Sequence, residues 1–186
     1  VLGSRGLGDV YKRQNKDSVE SLNKLTDKCK ELEMIAILEV HDVTGKDDTS
    51  LLETAADYWI EVKEALIGKE NYVILNIANE WVGNWDGQKW CDGYTSVIPR
   101  LREAGIKNTI IVDAAGWGQY GQSVTDYGEQ VFAADPDANT MFSVHMYGTA
   151  GKNKATIARN LKLSTDKGEK KRAVPLVGSV WFGPAK

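Results

Sequence analysis

The chain has 186 residues, six of them Trp, and a formal net charge of -3. That is enough for one domain with a substantial core, and the charge gives neither nucleic acid nor a membrane surface a hold. No stretch is long and apolar enough to cross a bilayer, and Cys29 and Cys91 lack metal-ligand spacing.

Residues 1–14 (VLGSRGLGDVYKRQ) are Gly-rich and basic without a sustained period. They read as adaptor-like sequence and are set apart from the fold, which is expected over residues 15–186. From Lys16 to Leu32 the apolar residues Val19, Leu22, Leu25, Cys29 and Leu32 share one face of a predicted helix. Met34 to Val40 is the first predicted strand, ending in His41-Asp42, with Glu39 and His41 on one side. Ser50-Leu51-Leu52-Glu53 has the form of a capping box. It opens a helix that runs through Ala55, Trp59, Val62 and Leu66 and stops near Gly68. Trp59 lies on the apolar stripe of that helix and is read as core.

Tyr72 to Ala78 is a near-continuous apolar run that ends abruptly in Asn79-Glu80-Trp81. Such a run suits a parallel strand buried on both faces, here predicted to end at Glu80. Val82 to Trp90 is a loop holding Trp85 and Trp90, with Gly83 and Gly87 to turn it. A helix is expected from about Asp92 to Ala104, with Pro99 kinking it or delaying its start. Thr109 to Asp113 is a short strand, 114–120 a loop and Ser123 to Ala133 a helix. Thr140 to Tyr147 is the next strand, with Ser143, His145 and Tyr147 on one side. A polar helix from Asn153 to Thr165, a solvated turn at Lys167 to Arg172 and a last strand from Ala173 to Val177 complete the series.

Strands alternating with helices at this spacing form a parallel sheet with crossover connections. Five strands fit either a doubly wound open sheet or part of a (β/α)8 barrel. No G-x-G-x-x-G follows the first strand and no P-loop is present. Three strands end in chemically capable residues: His41-Asp42, Asn79-Glu80, and His145 with Tyr147. A barrel gathers all such ends around one cleft. A whole barrel takes about 250 residues, so the prediction is an incomplete TIM barrel, roughly strands three to seven with their helices. An open barrel has unpaired edges, which predicts poor solubility.

Glu80 beside an amide and an indole suits general acid/base work at a glycosidic bond. The alternative is a Glu placed in a first helical turn by the helix dipole. A retaining glycosidase also needs a second carboxylate about 5–5.5 Å away as nucleophile. His145 and Tyr147 can bond a sugar or tune that nucleophile, and either His41 or His145 can instead be a satisfied interior histidine. Trp85 and Trp117 lie in Gly-rich loops, where ligand contact is more natural than core packing. Asp42 and Asp113, at strand ends, are equally suited to bracing loops and to touching substrate.

Four blocks carry a resemblance. Val40-His41-Asp42-Val43-Thr44-Gly45, Asn76-Ile77-Ala78-Asn79-Glu80-Trp81, the stretch from Val112 to Tyr120, and Ser143-Val144-His145-Met146-Tyr147 together resemble the bacterial endo-β-1,4-mannanases of glycoside hydrolase family 5. The similarity runs from about Asp27 to Val177. It implies a (β/α)8 barrel and retaining hydrolysis of β-mannan without metal or cofactor. It also implies a secreted enzyme, monomeric when complete, with no nucleic-acid or membrane partner. By resemblance Glu80 is the acid/base and Asn79 holds the sugar 2-hydroxyl. His41, His145 and Tyr147 line the subsite next to the cleaved bond, and Trp117 and Trp85 stack on sugar rings.

The family's nucleophile is a Glu ending the seventh strand in a context like Ile-Gly-Glu-Phe-Gly. This chain reads Pro175-Leu176-Val177-Gly178-Ser179-Val180-Trp181-Phe182-Gly183 there, with Ser179 nearest the expected place and Glu169 too early. The first two strands, with an Arg the family uses in its cleft, and the eighth are missing from the pattern. The expectation is a fragment of such a mannanase that is inactive as it stands. Two alternatives remain open: a cellulase-type β-1,4-glucanase on the same barrel, and a non-catalytic sugar-binding protein in which Ser179 is genuine.

Overall fold

The computed structural model describes residues 17–165 and 176–179, with 162–165 and 176–179 described by backbone alone. The adaptor-like segment, the Lys167 to Arg172 turn and the start of the last predicted strand lie outside the described residues. The elements are α1 (Val19–Glu31), β1 (Ala36–Glu39), α2 (Thr49–Glu61) with a 3-10 turn at Lys63–Ala65, β2 (Val73–Asn76), α3 (Gly87–Glu103), β3 (Ile110–Asp113), α4 (Gly121–Ala133), β4 (Thr140–His145), α5 (Lys154–Thr165) and β5 (Leu176–Ser179). Among the described residues no helix is long and apolar enough to cross a membrane.

The strands form one five-stranded sheet in the order β1-β2-β3-β4-β5, and every neighbouring pair is parallel. That order excludes the doubly wound alternative, which requires the strand order to reverse at a switch point. Right-handed crossovers between strands in sequential order put all the connecting helices on one face. The result is an incomplete (β/α)8 barrel. Val73, Leu75, Ile110, Val112 and Phe142 are buried on the helical side. Alternation turns Ile74, Asn76, Asp113, Ser143 and His145 to the other side. Among the described residues β1 is an edge strand, and Ile35 and Ile37 at that edge are 55% and 51% exposed.

Trp59, Trp81, Trp90, Tyr94 and Phe142 are among the largest fully buried side chains. A buried indole needs an acceptor for its N–H. Trp59 donates to the Ile77 carbonyl at 2.9 Å and Trp90 to the Asp113 carbonyl at 2.7 Å. The core aromatics therefore grip the chain just where β2 and β3 leave the sheet. Trp81 and Tyr94 meet edge to face with centroids 5.6 Å apart. A Cβ on Gly93 would lie 2.4 Å from the Trp81 ring, so this position in α3 needs glycine.

Two local expectations are corrected. The Ser50–Glu53 capping box does not form: α2 starts at Thr49 and is capped by Asp48, whose carboxylate accepts from the Ser50 N–H at 2.9 Å. A carboxylate two residues earlier is the stronger acceptor at the positive end of a helix. Likewise α3 starts at Gly87, not near Asp92, because the Asp86 side chain accepts from the Lys89 N–H at 3.0 Å. Trp90, expected in a loop, is therefore helical and in the core, and Pro99 sits inside the helix without delaying its start. The β2 strand ends at Asn76, not Glu80: the Asn76 side chain accepts from the Ala78 N–H at 3.2 Å and turns the chain out of the ladder.

Candidate active site

The carboxyl ends of β2, β3 and β4 converge on Glu80. After Asn76 the chain turns through Ile77 and Ala78, and the Asn79 N–H returns to the Val40 carbonyl at 2.9 Å. Glu80 then takes a left-handed backbone with φ 49°, and Val82 follows at φ 67°. Residues with side chains adopt this region only when their surroundings enforce it. Two bonds hold Glu80 there: its N–H donates to Asp113 Oδ2 at 2.9 Å, and its carbonyl accepts from the Gly45 N–H at 3.0 Å.

The Glu80 carboxylate is 11% exposed. Its Oε1 meets His145 Nδ1 at 2.5 Å and accepts from Tyr147 Oη at 2.7 Å. The other ring nitrogen of His145, Nε2, lies 3.1 Å from Asp113 Oδ1. Asp113 Oδ2 accepts from Asn76 Nδ2 at 2.9 Å as well as from Glu80. One imidazole thus bridges two carboxylates, and one of these also holds the backbone of the other.

This arrangement sets the charges. Burial opposes a positive His145, but the bonds to Asp113 and Glu80 outweigh it and lift the ring to about 10. Burial likewise opposes the Asp113 charge, yet His145, Asn76 and the Glu80 N–H hold the carboxyl below its ordinary value. Burial and then the bond to Glu80 push the Tyr147 phenol up, so it remains a donor at neutral pH.

The predicted ligand-contact residues divide into two groups. His145 and Tyr147 touch Glu80 directly. Asn79 does not: its Nδ2 donates to Thr44 Oγ1 at 2.9 Å. His41 stands apart as well, paired with Glu39 through Nδ1 at 3.0 Å and half exposed. Trp85 and Trp117 are 53% and 45% exposed at the mouth. Trp85 packs on Tyr120 with centroids 4.9 Å apart. Trp117, at φ 58°, lays its ring on Gly45, where an added Cβ would come 2.2 Å from the indole. Both indoles are supported from behind and bare in front. Ser179 is in register with His145 across the β4–β5 pair.

Residues 5–174 match the family described as Cellulase (glycosyl hydrolase family 5). The chain belongs to glycosyl hydrolase family 5. It is similar to a mannan endo-1,4-beta-mannosidase of Salipaludibacillus agaradhaerens, with 56% identity over 146 residues, 78% of this chain and 47% of the relative. Among solved structures it resembles the mannanase catalytic domain of Streptomyces sp. SirexAA-E, with TM-score 0.80 and 37% identity, over 92% of this chain and 54% of that one. It also resembles the beta-mannanase of Streptomyces thermolilacinus solved with mannohexaose, with TM-score 0.80 and 35% identity, over 92% of this chain and 56% of that one. This family 5 chain thus spans about half the length of the relatives it matches.

Two residues of the site were not assigned a role from sequence. Asn76 interrupts an otherwise apolar run, Val73-Ile74-Leu75-Asn76-Ile77-Ala78. A polar residue in the middle of a buried strand is the available signal, because it must be satisfied somewhere. For Asp113 the sequence allows both bracing and substrate contact. It braces: it is 1% exposed, and both its oxygens are occupied by protein donors.

Proposed function

We propose that this chain carries the general acid/base half of a retaining endo-β-1,4-mannanase, with Glu80 as the proton donor and acceptor. The observation that carries the reading is the convergence of the His145 ring and the Tyr147 hydroxyl on one Glu80 oxygen at the end of β2. His145 and Tyr147 both address Oε1. Oε2 has no protein donor among the described residues, and an acid/base needs one oxygen free to reach the glycosidic oxygen.

In the first step Glu80 hands its proton to the leaving oxygen while a second carboxylate attacks the sugar carbon. In the second step Glu80 takes a proton from water as that water displaces the enzyme carboxylate. Trp85 and Trp117 offer flat apolar faces to pyranose rings at the mouth. Asn79 reaches for the 2-hydroxyl once sugar displaces its bond to Thr44, and His41, paired with Glu39, is assigned to the neighbouring subsite by the family likeness alone. Mannan as the substrate is supported by the identity to the S. agaradhaerens mannosidase and by the likeness to a structure holding mannohexaose. Secretion, as expected of an enzyme acting on a polysaccharide, belongs to the same proposal.

The second carboxylate is the part this chain does not supply. At the end of β5 the sequence is Leu176-Val177-Gly178-Ser179, and serine cannot act as the carboxylate nucleophile of this mechanism. The chain by itself is therefore expected to bind mannan without turning it over. The test is release of reducing ends from β-mannan and from a soluble cellulose derivative by the purified chain. The expected result is no release from either. Steady turnover of mannan that survives Glu80→Gln would overturn the role of Glu80. Turnover abolished by Glu80→Gln would show that another group replaces the missing carboxylate. Turnover of the cellulose derivative alone would move the chain to the glucanases.

A further inference from the structure

We infer that Asp113 is a positioning residue that fixes His145 as an imidazolium and, through it, dedicates Glu80 Oε1 to the protein and Oε2 to the proton in flight. Hydrogen-bond geometry supports it. A neutral imidazole has one N–H and one lone pair, but both nitrogens of His145 face carboxylate oxygens, at 2.5 Å and 3.1 Å. One lone pair pointed at a carboxylate in a site this buried is unfavourable, and a second proton on the ring removes the conflict. The other charged or titratable groups facing the ring among the described residues are Glu80 and Asp113 themselves, with the Tyr147 phenol sharing Glu80 Oε1. Burial alone would strip the ring's second proton, and the two carboxylates reverse that, lifting it to about 10.

Asp113 acts on Glu80 by two routes. Oδ1 anchors the ring that occupies Glu80 Oε1, and Oδ2 takes the Glu80 N–H that holds its left-handed backbone. Glycine supplies the remaining fit: a Cβ on Gly118 would lie 2.6 Å from His145 Nδ1, and the His145 N–H donates to the Gly118 carbonyl at 2.8 Å. With Oε1 saturated by two donors, the proton that Glu80 gives and takes belongs on Oε2. Asp113 touches neither sugar nor the reacting atoms in this scheme.

The assignment of Oε2 rests on Glu80 being the acid/base; the charge state of His145 does not. The test is nitrogen-15 NMR of the histidine rings of the chain. It has two histidines, so His41→Gln identifies the signals of His145. The expected result is two protonated ring nitrogens that stay protonated from pH 6 to 8. In Asp113→Asn the ring is expected to titrate lower by about two pH units, the effect of losing one adjacent opposite charge. The Trp90 indole N–H, which donates to the Asp113 backbone carbonyl, reports whether that variant keeps its fold. An unprotonated Nδ1 at pH 7 in the unaltered chain overturns the inference, whether or not the variant folds. Because the readout needs no sugar, an imidazolium in a chain that does not bind mannohexaose would sink the functional reading and leave this one standing.

Discussion

The β3–β4 pair carries a buried ion pair at each end, and the two are built for different purposes. At the amino ends, Arg102 donates to both oxygens of Asp135 at 2.8 and 2.9 Å and to the carbonyls of Ile106 and Asn108. Asp135 also accepts from Thr140 Oγ1 at 2.7 Å and from the Asn139 N–H. The side chains of Arg102 and Asp135 are 2% and 0% exposed. A guanidinium never loses its proton in a protein, so this end is a fixed bracket. At the carboxyl ends, the cation is a histidine, and one of its two anions, Glu80, keeps an oxygen without a protein donor among the described residues. The same strands thus end in a closed network at the bottom and an unfinished one at the top. The unfinished one is where a substrate can enter the hydrogen bonding.

The comparison breaks most severely at the closed end. Arg102→Met leaves the Asp135 charge buried and unpaired, and is expected to cost about 3–5 kcal/mol in chemical denaturation. A loss under about 1 kcal/mol would mean that the bracket contributes little.

Changing pH separates the two ends. The raised pKa of His145 means that the stability it lends is complete below the ordinary histidine value of 6.5 and is lost as pH rises through about 10. Asp113 and Asp135 are both lowered, so their contributions are present above 3.8 and fade as pH falls through their folded values. Acid should therefore loosen both ends, and alkali from pH 7 to 10 the Glu80 end alone. Amide exchange at His145 against Thr140 reads the difference, and equal loosening in alkali would contradict it.

A smaller effect comes from Gly118→Ala. This adds a Cβ 2.6 Å from the His145 ring at φ 70°, with an expected cost of about 1–3 kcal/mol and a shift of the His145 ring signals. No change in those signals would mean the ring is not seated against Gly118. The smallest stability effect is expected for Trp117→Ala. An exposed indole outside the core should change stability by no more than about 0.5 kcal/mol while abolishing most of the fluorescence response to mannohexaose. A large stability loss would make Trp117 a structural residue.

What could be read in the sequence, and what could not, follows from the range of each interaction. The sheet was legible because alternating apolar runs and helical stripes are local patterns, and sequential parallel strands leave few topologies. Glu80 was legible because a carboxylate at the end of a buried run stands out from its neighbours. The part played by Asp113 was not. A strand-end Asp reads the same whether it faces solvent, sugar or a histidine 32 residues on. The helix starts failed for a local reason: the Asp48 and Asp86 side chains, ahead of the expected starts, accept from backbone N–H groups and open each helix earlier. His41, two residues past the end of β1, pairs with Glu39 instead of joining the cluster around Glu80.

The most direct test of the account is titration of the purified chain with mannohexaose, followed by tryptophan fluorescence with the sugar recovered and sized afterwards. The account predicts a saturable response that is lost in Trp117→Ala, a weaker response to cellohexaose, and intact mannohexaose at the end. No response to mannohexaose, or an equal response to cellohexaose, would contradict the claim that the carboxyl ends of β2 to β4 form half of a mannan site.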